Sequence, residues 1–135
     1  MTREELVLRA VAARKRAYTP YSRYRVGAAL LTKEGKVYEG CNIENAAFTP
    51  TVCAERTAFF KAVCEGERDF TAIAVVGGGE RGINGFSAPC GVCRQVMREF
   101  CNEDFRIHLW DGREYRTCTL GELLPLGFTS RDMEI

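Results

Sequence analysis

The chain has 135 residues, 46% of them hydrophobic, a length that predicts one domain with its own core and no need of a disulfide framework. Nineteen basic and eighteen acidic residues leave a formal charge of +1, which disfavours a nucleic acid partner. The charged N-terminus "MTREELVLRA" is unlike a secretory signal and no apolar run is as long as a membrane span, so we expect a cytoplasmic protein with seven reduced cysteines.

The N-terminal half predicts a helix, a β-hairpin and a second helix. Thr2 and Glu5 have the spacing of a capping box, and the helix that they begin is expected to end near Tyr18. The alternating apolar residues of "RVGAALL" and the short run "KVYEG" lie on either side of a turn and indicate the hairpin. Thr51 is the expected N-cap of the second helix, which is expected to end near Cys64 or Gly66.

The C-terminal half alternates between strands and helices. The apolar run "AIAVVGG" predicts a strand buried on both faces, and a helix is expected just after Pro89. Two strands, "RIHLW" and "EYRTC", follow around a "DG" turn, and Thr119 with Glu122 marks a last helix. The order α, β, β, α, β, α, β, β, α predicts an α/β fold in which residues 1–135 form a single domain with helices packed on one mixed sheet.

Two short segments place thiols at predicted helix starts: "CAE" at 53–55 and "PCGVC" at 89–93. Free N–H groups at a helix start stabilise a thiolate, so we predict that Cys53, Cys90 and Cys93 bind one Zn²⁺. Three protein ligands leave a tetrahedral zinc ion one position for water, which becomes hydroxide near neutral pH. Glu55 lies two residues after the first ligand and is predicted to take the proton of that water.

The charge of this predicted site calls for a cation nearby. Three thiolates on Zn²⁺ give a net charge of −1, which opposes deprotonation of the bound water. Arg56 is predicted to offset this charge through a hydrogen bond to a thiolate sulfur. Gln95, on the next helix, is expected to support the thiolates in a similar way.

The cysteines are also compatible with roles that involve no catalysis. The C-x-x-C spacing occurs in redox pairs, although the chain offers no obvious thioredoxin-like setting, and in structural zinc sites. A structural site needs a fourth thiolate, and four cysteines are available for it, although we interpret them as small buried hydrophobic residues: Cys41, Cys64, Cys101 and Cys118. The single histidine, His108, is interpreted as a strand residue.

With "GCNIENAA" upstream, the pair C-A-E and P-C-x-x-C resembles the zinc-dependent cytidine deaminases of free nucleosides. The likeness runs from "AYTPYSRYRVGAALLTKEGK" through "TVCAERTAFFKAV" and "APCGVCRQV" to "ELLPLGF". It implies a three-layer αβα sandwich around a mixed five-stranded sheet, one Zn²⁺ per subunit, and a homotetramer whose sites are shared between subunits. It also implies hydrolytic deamination of cytidine and 2′-deoxycytidine in pyrimidine salvage, with hydroxide attacking C4 and Glu55 as proton shuttle.

The resemblance assigns the substrate contacts as well. Asn42 and Glu44 match an N-x-E pair that hydrogen-bonds the ribose 3′-hydroxyl. Tyr24 stands where the family usually has a phenylalanine against the pyrimidine, and Phe128 matches an aromatic residue that reaches the base from a neighbouring subunit. Two further residues would contact the base edge through their backbone groups: Ala54 and Ala88.

Two other functions are compatible with the sequence alone. A deaminase of the blasticidin S type is similar in length and has the same zinc motif, although "CNIEN" favours a ribose-binding enzyme. A non-catalytic module with a structural zinc ion would instead have four thiolates and no exchangeable water. An editing deaminase on RNA or DNA is disfavoured because the chain lacks a basic face.

Overall fold

One mixed sheet of five strands organises the computed structural model, which describes residues 1–134. The elements are, in chain order, α1 (Arg3–Arg14), β1 (Arg25–Thr32), β2 (Val37–Cys41), α2 (Ala54–Cys64), β3 (Phe70–Gly78), α3 (Gly91–Phe100), β4 (Arg106–Trp110), β5 (Tyr115–Thr119), α4 (Leu120–Leu123) and a 3-10 helix (Ser130–Met133). The predicted order of helices and strands is confirmed, and the 3-10 helix is an addition. Within the described part of the chain, no helix combines the length and the apolar character needed to cross a membrane.

The sheet has the strand order β2-β1-β3-β4-β5, in which β3 and β4 are parallel and all other neighbours antiparallel. Alternate residues of β3 point to opposite faces: Ala74 and Val76 pack with α1, whereas Ile73 and Val75 pack with α2 and α3. Residues 72–78 of this strand are buried throughout, as the apolar run predicts. The predicted three-layer αβα sandwich is therefore confirmed.

The first helix begins as predicted and ends earlier. Thr2 Oγ1 accepts a hydrogen bond from the Glu5 backbone N–H at 3.1 Å, which completes the capping box. The helix ends at Arg14, four residues before the expected position at Tyr18. Tyr18 pairs in a parallel bridge with Ile43, and its N–H donates to Asn42 O at 3.0 Å, so this part of the chain is extended. Because α1 ends early, Tyr18 is free to pair with the segment that follows β2.

The second helix begins at Ala54, and its N-cap is Cys53 rather than the predicted Thr51. Thr51 Oγ1 accepts a hydrogen bond from the backbone of Asn45 at 3.1 Å, so its side chain organises the preceding loop. The start of α2 lies directly on β2, because a Cβ at Gly40 would lie 2.5 Å from the carbonyl oxygen of Ala54. A glycine at this position therefore sets how closely the Cys53 end of the helix approaches the sheet.

Candidate active site

Three cysteine sulfurs meet at the starts of two helices. Cys53 is the N-cap of α2 and Cys90 is the N-cap of α3, and neither side chain caps its helix. Their sulfurs lie 3.8 Å apart, and the sulfur of Cys93, in the first turn of α3, lies 3.5 Å from that of Cys90. All three sulfur atoms lie within 4.8 Å of one another. The structure therefore brings together the three residues predicted to bind zinc.

The pKa values of Cys53 and Cys93 depend on how these two thiols share a proton. The pKa of Cys53 falls to about 5, first because the Cys93 thiol donates a hydrogen bond to it and then because Arg56 does so. The pKa of Cys93 rises, because its proton is held by the Cys53 sulfur and the side chain is buried. Two adjacent thiolates repel each other, and a divalent cation between them removes this repulsion. A set of three close thiolate donors fits Zn²⁺, which prefers sulfur and nitrogen ligands.

Glu55 places a buried carboxyl group beside this cluster. It lies in the first turn of α2 with 4% of its surface exposed, and its Oε1 atom has no hydrogen-bond partner among the described residues. Burial is the main reason that its pKa rises to about 7. A buried carboxyl oxygen without a partner is costly, so its persistence indicates that another group satisfies it. A pKa near neutrality also suits a group that must both accept and donate a proton.

Arg56 contacts the sulfur cluster and Gln95 does not. The Nη2 atom of Arg56 donates to the Cys53 sulfur at 3.3 Å, which is the contact that the charge argument requires. Gln95 differs from its prediction, because its amide nitrogen donates to the backbone oxygen of Phe128 at 2.9 Å. The reason is geometric: Gln95 is exposed on α3, whereas Cys93 is on the buried side of the same helix. Gln95 therefore connects α3 to the C-terminal segment.

A cleft of about 320 Å³ opens beside Cys53, Glu55 and Cys90. Four of the predicted substrate-binding residues line it: Tyr24, Asn42, Ala54 and Ala88. The remaining lining residues are Val26, Thr51, Val52, Phe86 and Ser87. A larger cavity of about 600 Å³, lined partly by Arg14 and Arg23, contains none of the predicted residues. The cleft is the candidate active site because Cys53, Glu55 and Cys90 line it.

Two predicted residues lie outside the lining of this cleft. Glu44 lines a neighbouring cavity of about 440 Å³ that also contains Tyr21 and Phe48, and Thr51 borders both spaces. Phe128 is 56% exposed and does not line the cleft of its own chain. Glu44 is thus next to the cleft, whereas Phe128 lies outside it with more than half of its surface exposed.

The Asn42 side chain is held by the backbone of β1 and of the segment before it. Its Oδ1 atom accepts from the N–H of Val26 at 2.9 Å, and its Nδ2 atom donates to the carbonyl oxygen of Tyr24 at 2.9 Å. Each of these groups keeps one further hydrogen-bonding capacity, since a carbonyl oxygen accepts two bonds and an amide nitrogen donates two. Asn42 can therefore be oriented by the protein and still bind a hydroxyl group in the cleft.

The Glu44 carboxylate is held in a similar way. One oxygen accepts from the N–H groups of Tyr21 at 2.9 Å and Ser22 at 3.1 Å, and the other accepts from the Ser22 hydroxyl. These bonds lower the pKa of Glu44, the Ser22 hydroxyl contributing most. The carboxylate is consequently ionised and fixed in direction.

Ser87 is a cleft residue that the sequence did not single out. Its hydroxyl group bonds the hydroxyl group of Tyr24, the residue that replaces the phenylalanine usual in the resembled family. The sequence contained one signal for it, since a tyrosine hydroxyl beside an apolar cleft needs a polar partner. The spacing of the residues gave no means of finding that partner.

Comparison with known proteins agrees with this site. A family model described as "Cytidine and deoxycytidylate deaminase zinc-binding region" matches residues 1–109 of the chain. The chain belongs to this deaminase family. Its relatives include a cytidine deaminase of Halalkalibacterium halodurans, 51% identical over 134 residues with 98% of each chain covered. A cytidine deaminase of Sporosarcina psychrophila is 48% identical over 131 residues, covering 96% of this chain and 93% of the relative.

The fold of the chain is also found in the deaminase family. The crystal structure of a cytidine deaminase from Burkholderia pseudomallei has a TM-score of 0.88 and 47% sequence identity, covering 95% of this chain and 100% of that one. The matched family region is a zinc-binding one, and the Cys53, Cys90 and Cys93 cluster can hold a metal ion. The predictions of a deaminase and of a zinc cofactor are therefore confirmed.

Proposed function

We propose that the protein converts cytidine and 2′-deoxycytidine, with water, into uridine and 2′-deoxyuridine and ammonia. The observation that carries this proposal is the buried Glu55 carboxyl, which has no partner among the described residues and lies at the wall of a cleft beside three thiols. Cys53, Cys90 and Cys93 would hold zinc, which lowers the pKa of a bound water to about 7. The other steps depend on residues of the chain.

Glu55 would move the protons of the reaction. It would take one proton from the attacking water and deliver it to N3 of the pyrimidine as the C4–O bond forms. It would then take the second proton from the new hydroxyl on C4 and give it to the amino group, so that the C4–N bond breaks, ammonia leaves and the C4 carbonyl forms. Burial supports this role, because it keeps the pKa of the carboxyl close to neutrality and keeps bulk water from exchanging the proton. Arg56 would reduce the negative charge of the Cys53 sulfur through its 3.3 Å contact.

The base would lie between the walls of the cleft. Ala54 is the first residue of α2, so its N–H has no partner within the helix and is free to bind the base edge. Ala88 would contact the base from the segment before α3, and the ring of Tyr24 would lie against the pyrimidine. These contacts would orient one base in the cleft of about 320 Å³.

The sugar end of the site would favour an uncharged nucleoside. Asn42 and Glu44 would together bind the 3′-hydroxyl, which both donates and accepts. The described residues that line the cleft and the neighbouring cavity include no lysine or arginine, and Glu44 carries a negative charge. A 5′-phosphate would therefore be repelled at this end rather than bound.

A homotetramer would complete the site. Phe128 is exposed and lies outside the cleft of its own chain, which supports a role in the cleft of a neighbouring subunit. Other large apolar side chains are exposed too, among them Phe48, Val92 and Leu126, and subunit contacts would cover them. We further propose that the enzyme is a single-domain cytoplasmic protein that serves pyrimidine salvage.

Ammonia release from cytidine tests the proposal. The native protein should release ammonia, and Glu55→Gln should reduce kcat by roughly 100- to 10,000-fold because the proton shuttle is lost, with zinc content unchanged. Glu65→Gln, just after α2, is the matched control and should behave like the native protein.

Three outcomes would contradict the proposal in different ways. A folded, zinc-loaded native protein that releases no ammonia from cytidine would refute the substrate, and blasticidin S would be tried next. Full activity of Glu55→Gln would refute the role of the carboxyl. A zinc ion held by a fourth cysteine without exchangeable water would indicate a structural site.

A further inference from the structure

A pair of hydroxyl groups crosses the wall of the cleft. Tyr24 lies just before β1 and Ser87 lies in the segment before α3, and their hydroxyl oxygens share a hydrogen bond. Gly77 of β3 makes room for this pair: a Cβ there would overlap Ser87 Oγ and would lie 3.1 Å from Tyr24 Oη. The contact therefore joins three parts of the chain that are distant in sequence.

The backbone of Tyr24 is bonded to both residues of the sugar end. Its carbonyl oxygen accepts from Asn42 Nδ2 at 2.9 Å. Its N–H donates to Ser22 Oγ at 3.0 Å, and that hydroxyl donates in turn to the Glu44 carboxylate. One residue thus connects the base wall, through its hydroxyl, with the groups that would bind the sugar, through its backbone.

We propose that Ser87 is a positioning residue: its hydroxyl fixes the Tyr24 ring and thereby the directions of Asn42 and Glu44. This inference rests on the proposed function, in which Tyr24 contacts the base and Asn42 and Glu44 bind the sugar. Ser87 and the Tyr24 hydroxyl have no described hydrogen bond to Glu55 or to a cysteine. The pair acts on how firmly the nucleoside is held, and the proton transfer at Glu55 proceeds without it.

Substitutions that remove one hydroxyl group at a time test the role of the pair. Ser87→Ala and Tyr24→Phe should each raise KM for cytidine by roughly 3- to 10-fold, the worth of one hydrogen bond, with kcat nearly unchanged. The double variant should resemble the single variants, because all three lack the same bond. Tyr115→Phe, which removes a tyrosine hydroxyl on β5, is the matched control and should leave KM unchanged.

A second measurement needs no substrate. In the nucleoside-free protein, Ser87→Ala should speed hydrogen exchange at the N–H of Val26, which donates to Asn42 Oδ1, and at the N–H of Tyr24, which donates to Ser22 Oγ. Exchange at Ile107 in β4 should stay the same. A change confined to the first two sites separates a positioning role from a general loss of stability.

The outcomes divide cleanly. Unchanged KM values, effects that multiply in the double variant, or a fall in kcat alone would overturn the inference, as would exchange that rises equally at Ile107. If the native protein does not deaminate cytidine, the proposed function fails, and the exchange experiment still decides whether Ser87 orders Tyr24 and Asn42.

Discussion

The two ends of the cleft are built in different ways. At the metal end, Cys53 and Cys90 are the N-caps of α2 and α3 and Glu55 lies in the first turn of α2, so the backbone at the helix starts sets their positions. At the sugar end, Asn42 and Glu44 belong to the irregular segment after β2, and their side chains are held by hydrogen bonds to residues 21–24 and to Val26 at the start of β1. The reactive groups are thus positioned by two helix starts, whereas the groups that would bind the sugar are positioned by side-chain hydrogen bonds from a loop segment.

The largest effect is expected from the metal end. Cys93→Ala should abolish both zinc binding and deamination, because only two thiolates remain. Cys101→Ala is the matched control, since this cysteine is also buried and directly follows α3 but lies outside the sulfur cluster. Zinc content by atomic absorption and ammonia release measure the two effects. Stoichiometric zinc in the Cys93 variant would remove the basis for the three-ligand site.

Arg56→Ala should have the next largest effect. Loss of the hydrogen bond to the Cys53 sulfur should reduce kcat/KM by roughly 10- to 100-fold, as for other residues that support metal ligands. Lys61→Ala, on the same helix, should change it little. The variant should keep its zinc ion, and an unchanged rate would contradict the idea that Arg56 offsets the charge of the thiolates.

At the sugar end, Glu44→Gln should impair turnover of cytidine and leave turnover of free cytosine unchanged. It should reduce kcat/KM for cytidine by roughly tenfold, because a charge-assisted hydrogen bond to the sugar is weakened. Turnover of free cytosine, which has no sugar, should not change. Glu34→Gln, in the turn between β1 and β2, is the control. Equal losses on cytidine and cytosine would show that Glu44 acts on the metal end instead.

The last prediction concerns stability: Gly40→Ala should weaken the packing of α2 against β2. A Cβ there would lie 2.5 Å from backbone atoms of α2, so the free energy of unfolding should fall by about 1–3 kcal/mol. Gly91→Ala is the control, because no atom lies within 4 Å of its Cβ position and alanine favours a helix. Urea titration measures both variants, and equal stabilities would mean that α2 does not depend on this close approach.

Most of the metal end was predictable from local sequence. The spacing of C-A-E and P-C-x-x-C is visible without a structure, and helix starts next to thiols are a local pattern. The expected N-cap Thr51 was wrong, because a capping preference does not reveal that this side chain bonds Asn45 instead. The cysteine that begins α2 makes no capping bond, so propensity alone favours the wrong residue.

The sugar end was not predictable from local patterns. Asn42 and Glu44 came from a family resemblance, and their partners Tyr24 and Ser22 are distant in sequence. Ser87 was missed for the same reason, since its partner lies 63 positions away. Gln95 was assigned to the cysteines from its helix alone, and its bond to Phe128 depends on where the C-terminal segment runs. Hydrogen bonds between residues that only tertiary packing brings together cannot be predicted from the spacing of residues in the sequence.

The placement of Cys53 and Cys90 at helix N-caps has a mechanical consequence. Only one side-chain torsion separates the backbone of a cysteine from its sulfur, so the ligand positions follow the two helix starts almost directly. The distances between the ligand sulfurs can therefore change little. Cysteine side chains are too short to move outward and make room for a cation of larger radius. Fitting it would require α2 and α3 to separate, against the packing between the helices and the sheet.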